Sequence, residues 1–263
     1  MIRSLLAMLV GCSVFGSDLL AHDTWVQANT NVVRTGDAVH LDLMLGNHGN
    51  EHRDFKLAGK FPIEKCTFDV HGPEGKSFDL KDRAIDTGYA PNEGFWSAKF
   101  VAARSGLYTV SHTVQSQHRT TRTIKGARTT FVASPKLDDV STIQPGFDRV
   151  FGHPLEIVPE VNPCVPSGPG VPIKVKLLYK GKPLADSAIS FIPRGEVLKE
   201  EHDPKYDLKT DAEGRAKFTP KTGNWYLIVA HRTEPEEKGE GYDKTTYSAT
   251  LTVYVPEFCP CCD

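Results

Sequence analysis

Along much of the chain, apolar residues fall at every second position. In 39–45 the odd positions Val39, Leu41, Leu43 and Leu45 form an apolar face, while His40 and Asp42 point the other way. A period of two is the signature of a half-buried strand. The same alternation predicts strands at 95–101 and 108–114, joined by the turn Arg104-Ser105-Gly106, and at 129–133. After a gap it resumes with Val171, Ile173, Val175, Leu177 and Tyr179, and then at 188–192, 216–218, 225–231 and 246–255. Lys180-Gly181-Lys182-Pro183 and Thr210-Asp211-Ala212-Glu213-Gly214 supply turns, and the charged run 234–240 reads as a solvated hairpin loop. No helical periodicity is sustained. Short strands at this spacing predict an all-β protein made of two β-sandwich domains.

The gap between the two strand sets is marked by proline. Pro135, Pro145, Pro154, Pro159, Pro163, Pro166 and Pro169 punctuate residues 134–170, with Leu155-Glu156-Ile157-Val158 as a short strand candidate inside. Proline lacks the N–H that a central strand donates, so this stretch reads as a surface linker. The expected organisation is a signal peptide over 1–21, a first sandwich over 22–133, the linker over 134–170, a second sandwich over 171–256 and a Cys-rich tail over 257–263.

The chain has 263 residues, 39% of them hydrophobic, with a formal net charge of −2. That balance supports a folded core and lacks the basic footprint of a nucleic-acid binder. Met1, Arg3 and the apolar run Leu5 to Val10 form an export signal, too short to span a bilayer. Leu19-Leu20-Ala21 offers a cleavage site that leaves His22 first. Leu9-Val10-Gly11-Cys12 offers the alternative of a lipobox, with Cys12 lipidated. The expected location is the periplasm or another exported compartment. No later apolar run is long enough for a transmembrane helix.

Gly152-His153-Pro154-Leu155-Glu156-Ile157-Val158-Pro159 with Asn162-Pro163, followed by Gly181-Lys182-Pro183-Leu184, Thr210-Asp211-Ala212-Glu213-Gly214 and Gly223-Asn224-Trp225, resembles the DUF4198 family. The start Ala21-His22-Asp23-Thr24-Trp25 is similar to members at their export junction. The resemblance is strong over 152–231 and looser over 40–130. It implies a periplasmic two-domain β protein whose second half is similar to transthyretin and carboxypeptidase-regulatory sandwiches. It also implies a link to nickel or cobalt uptake, beside an inner-membrane metal transporter.

Ten histidines give that implication its chemistry. A mature N-terminal His22 offers an amine and an imidazole to one metal ion. His48 and His52 follow the strand 39–45 in a Gly-rich loop, and several family members carry a His at the place of His48. His112 shares a face with Tyr108, Val110 and Val114, and His118 lies at the end of that region. These five residues are the candidate metal ligands, for nickel, cobalt or copper as a divalent ion. His231, on the strand with Trp225, Leu227 and Val229, is expected to lie far from His22. His40, His71, His153 and His202 read as surface or structural.

In the tail, Cys259, Cys261 and Cys262 either hold a soft metal or pair with Cys66 or Cys164. No Gly-x-Ser-x-Gly elbow, zinc-protease helix or phosphate loop is present. The expected function is therefore a non-enzymatic metal-binding protein that assists metal uptake or handling. The alternatives are a copper oxidase with an N-terminal His, or a structural or adhesive sandwich without metal.

Overall fold

The computed structural model describes residues 22–49, 52–88, 90–140, 145–199 and 201–258. The predicted signal with Cys12, and the tail cysteines Cys259, Cys261 and Cys262, lie outside the described residues.

The protein is all-β. Its strands are β1 (Asp23–Ala28), β2 (Val32–Arg34), β3 (Ala38–Gly49), β4 (His52–Gly59), β5 (Cys66–His71), β6 (Ser77–Asp79), β7 (Ala84–Asp86), β8 (Trp96–Val101) and β9 (Gly106–His118). They continue with β10 (Thr121–Ser134), β11 (Leu155–Pro159), β12 (Ile173–Tyr179), β13 (Lys182–Pro183), β14 (Ala188–Pro193), β15 (Asp207–Lys209), β16 (Arg215–Phe218), β17 (Asn224–Glu234) and β18 (Lys244–Val255). Among the described residues the remaining regular pieces are three short 3-10 turns.

Three sheets result. Five strands run in the order β1-β3-β8-β7, with β4 on β3. Nine run in the order β15-β14-β17-β18-β10-β9-β5-β6, with β2 on β10. Four form the set β11-β12-β13, with β16 on β12. The large sheet passes through both halves of the chain because β10 pairs in parallel with β18, from Thr121↔Lys244 to Thr129↔Thr252.

Alternation along each strand of this shared sheet assigns its two faces to different cores. Phe68, Val70, Tyr108, Val110, Phe131 and Ala133 meet Val26, Val39, Leu41, Leu43 and Phe100 of the five-stranded sheet. Tyr226, Ile228, Ala230, Ala249 and Leu251 meet Leu155, Ile157, Val175 and Leu177 of the four-stranded sheet. A third cluster joins the halves: Trp25, Met44 and Phe55 pack on Ile192, Leu227 and Val229. The Pro-marked stretch thus contributes a buried strand, with Leu155↔Tyr179 through Pro159↔Val175 paired antiparallel. Its Cys164 and Val165 pack on Leu107 and Val132.

Of the Gly-rich segment expected as a loop after 39–45, the described residues are strand instead. β3 continues to Gly49 and pairs with β4, with register shifts at Leu45/Gly46 and Asn47/His48. Gly46 makes the first shift possible. A Cβ there would stand 2.2 Å from the Trp25 ring and 2.3 Å from the Lys56 carbonyl. Cys66 and Cys164 are buried free thiols.

Candidate metal centre

The strand phase that builds the joining core also builds a polar site at its end. On β1 the odd residues Asp23, Trp25 and Gln27 share one face, and on β17 Leu227, Val229 and His231 share another. Trp25 packs with Leu227 and Val229. One strand repeat along, the same two faces bring Asp23 to His231. His231 Nε2 lies 2.9 and 3.0 Å from the two carboxylate oxygens of Asp23. A carboxylate only accepts, so Nε2 carries the proton in this arrangement.

His48 completes the group from β3. Its ring stacks on His231 with centroids 5.5 Å apart and 21° between planes. One ring nitrogen of each histidine and one oxygen of Asp23 lie within 4.8 Å of one another, the one such group of His, Cys, Asp or Glu among the described residues. Ligand atoms around a single ion with bonds near 2.0–2.2 Å stand roughly 3–4 Å apart, so closure needs shifts of about 1 Å or less.

Burial and charge prepare these groups as ligands. Asp23 is fully buried and His48 is 5% exposed, while the His231 side chain is 30% exposed, which leaves the His231 side open. Burial alone would raise the Asp23 carboxyl. The charge and hydrogen bond of His231, with smaller help from His48 and Lys125, hold it at about 2, so it is ionised. Burial pushes His48 down to about 4 against the pull of Asp23, so its ring is neutral near pH 7 and keeps a lone pair. His48 Nδ1 is buried without a hydrogen-bond partner. Such an orphan is costly in a protein interior, and a cation would satisfy it. Two imidazoles and a carboxylate suit first-row transition metals.

Outer contacts fix the carboxylate. The Ser248 hydroxyl donates to Asp23 Oδ1. Lys125 Nζ donates to the His22 carbonyl, directly before Asp23. Across the large sheet, His231 is paired with Ser248 and Ser248 with Lys125, so the three form one row beneath Asp23.

Of the sequence-predicted ligands, His48 is in this group. His22 is its chain neighbour through Asp23, with an exposed side chain. His52 opens β4 opposite Gly49. His112 lies fully buried in the first core, its Nδ1 2.8 Å from the Thr67 carbonyl and its ring against Phe61. His118 is exposed at the β9–β10 turn, paired with Thr121. His231 was expected far from His22 and is not, because the β10–β18 pairing merges the halves into one sheet. Asp23 was not among the expected ligands, and His231 was set aside as too distant. The available signal was their phase, in step with Trp25 and with Leu227 and Val229.

The family model described as "Domain of unknown function (DUF4198)" matches residues 19–234. No curated protein matches. Among solved structures, the D0-D1 domain of Intimin is similar at 11% identity and a TM-score of 0.24, over 89% of this chain and 98% of that one. Trypsin-activated alpha-2-macroglobulin from Escherichia coli aligns at 13% identity and a TM-score of 0.27, over 89% of this chain and 16% of that one. A DUF4785 family protein from Legionella pneumophila aligns at 11% identity and a TM-score of 0.30, over 88% of this chain and 56% of that one.

Proposed function

The chain belongs to the DUF4198 family, and we propose that this member is an exported protein that binds one divalent transition-metal ion through Asp23, His48 and His231. The observation that carries the reading is the convergence of these three donors from β1, β3 and β17 around a buried, ionised carboxylate. A neutral buried imidazole, a carboxylate and a second imidazole are ready ligands, and the orphaned Nδ1 of His48 favours occupation. An ion on His231 Nε2 would displace the proton that this nitrogen donates to Asp23, and the neutral ring would then carry its proton on Nδ1 instead.

His22 belongs to the proposal as the first residue after an export signal cleaved behind Ala21. In that form its α-amine and imidazole supply further donors beside Asp23. Nickel, cobalt and copper all fit the donor set, and copper(II) binds most tightly in vitro. The proposed role is handling of the ion in the periplasm beside an inner-membrane metal transporter.

The test is calorimetric titration of the purified chain with Ni²⁺, Co²⁺ and Cu²⁺, alongside His48→Ala and Asp23→Asn. About one ion per chain is expected, with a loss of roughly 100-fold or more in affinity in each variant. Variants that stay folded and bind as tightly as the parent would show the Asp23–His231 pair to be a structural tie only.

A further inference from the structure

Lys125 is 5% exposed, an unusual place for an ammonium group. It stands on β10 opposite Ser248, which stands opposite His231. Directly opposed residues of neighbouring strands hold their side chains on one face about 5 Å apart. Lys125 therefore shares a row with Ser248 and His231, both of which touch the Asp23 carboxylate. Its own Nζ is held by the carbonyl of His22, the residue before Asp23. Burial pulls its pKa below the ordinary lysine value, and among the described residues Asp23 is the carboxylate whose charge opposes that and favours the ammonium.

Among the described residues, the candidate metal site thus has Asp23 as its ligand anion and beside it Lys125, a buried cation that is not a ligand; the buried Arg53–Asp207 pair also acts on His48, but as a neutral ion pair. Resting on the metal-binding reading above, we propose that Lys125 sets both the affinity and the charge selectivity of the site. Its ammonium opposes any cation held by Asp23, His48 and His231. Coulomb energy scales with the product of charges, so it opposes a divalent ion twice as strongly as a monovalent one. Burial makes the effect large, because water screens little there. Without the ammonium, Asp23 would hold a divalent ion far more tightly. With it, the ion remains exchangeable, as a protein that passes its ion onward requires.

The experiment titrates the full chain with Co²⁺ and, separately, with Ag⁺, in the parent protein and in Lys125→Met, Lys125→Gln and Lys125→Arg. The two neutral variants are expected to tighten Co²⁺ by about tenfold and Ag⁺ by about threefold, a twofold ratio in the logarithm of affinity. Lys125→Arg keeps the charge and is expected to leave both affinities near those of the parent. Equal logarithmic shifts for the two ions, no shift, or weakening of both in the neutral variants overturns the proposal. Weakening of both would make Lys125 a strut for the His22 backbone. Two neutral side chains of different polarity guard against failure of either one to fold. Should the parent bind neither ion, the metal-binding reading itself fails. A parent that binds, with neutral variants unchanged, fails only this inference.

Discussion

His231 Nε2 meets Asp23 Oδ1 at 2.9 Å although 208 positions of chain separate them. One is on the first strand and the other on the next to last, and both face the same joining core. Removing one partner leaves the other charge or dipole buried. Because His231 is part exposed, His231→Ala is expected to destabilise the metal-free protein by about 2–3 kcal/mol, below the cost for a fully buried pair. Urea unfolding of parent and variant measures it, and a change within experimental error would show that the contact contributes little.

A second tie joins the halves without any metal chemistry. Arg53 Nη2, from β4, donates to both oxygens of Asp207 of β15 at 2.6 and 2.7 Å, and Nη1 donates to the Lys199 carbonyl at 2.6 Å. Both side chains are under a tenth exposed. Arg53→Ala is expected to cost about 3–5 kcal/mol, and the double change Arg53→Met with Asp207→Leu distinctly less, since no unpaired charge remains. Equal losses in the single and double variants, compared by denaturant midpoint, would contradict this.

The strand pattern carried most of the fold. The alternation at 39–45, 108–114, 171–179 and 246–255 is present in the structure as β3, β9, β12 and β18. Short edge strands such as Ser77–Asp79 were not legible, because three exposed residues have no inward face to show. One of the three site residues was legible. His48 stood out by its place after a strand. Asp23 and His231 did not, because their partnership depends on the parallel pairing of β10 with β18, a contact between distant segments that no local pattern encodes.

His112 makes stability depend on pH. Burial drives its ring well below the ordinary value, to about 3, partly offset by the Thr67 carbonyl. The unfolded chain therefore takes up a proton near pH 6.5 that the folded chain refuses. The sign follows: the stability is present above the unfolded value and is lost as pH falls toward the folded one. Between pH 7 and pH 5 this one group is expected to remove about 2 kcal/mol. His112→Phe should reduce the pH slope of unfolding free energy by about one proton in that window. An unchanged slope would place the pH dependence elsewhere.

Gly46 couples the paired strands β3 and β4 to the site. It pairs with Asp23 across β1 and β3 and lies two residues before His48. Gly46→Ala drives a methyl into the Trp25 ring and the Lys56 carbonyl. The expected result is destabilisation by about 1–3 kcal/mol or more, together with weaker metal binding as His48 moves. Thermal denaturation and cobalt titration of the variant check both halves, and parental values in both would refute the coupling.

The most direct test of the metal centre is an anomalous-scattering map from crystals of the protein loaded with Co²⁺ or Ni²⁺. One strong peak is expected, with bonds of about 2.0–2.2 Å to Asp23, His48 and His231. A peak at other residues, with the His231–Asp23 hydrogen bond still closed, would contradict it.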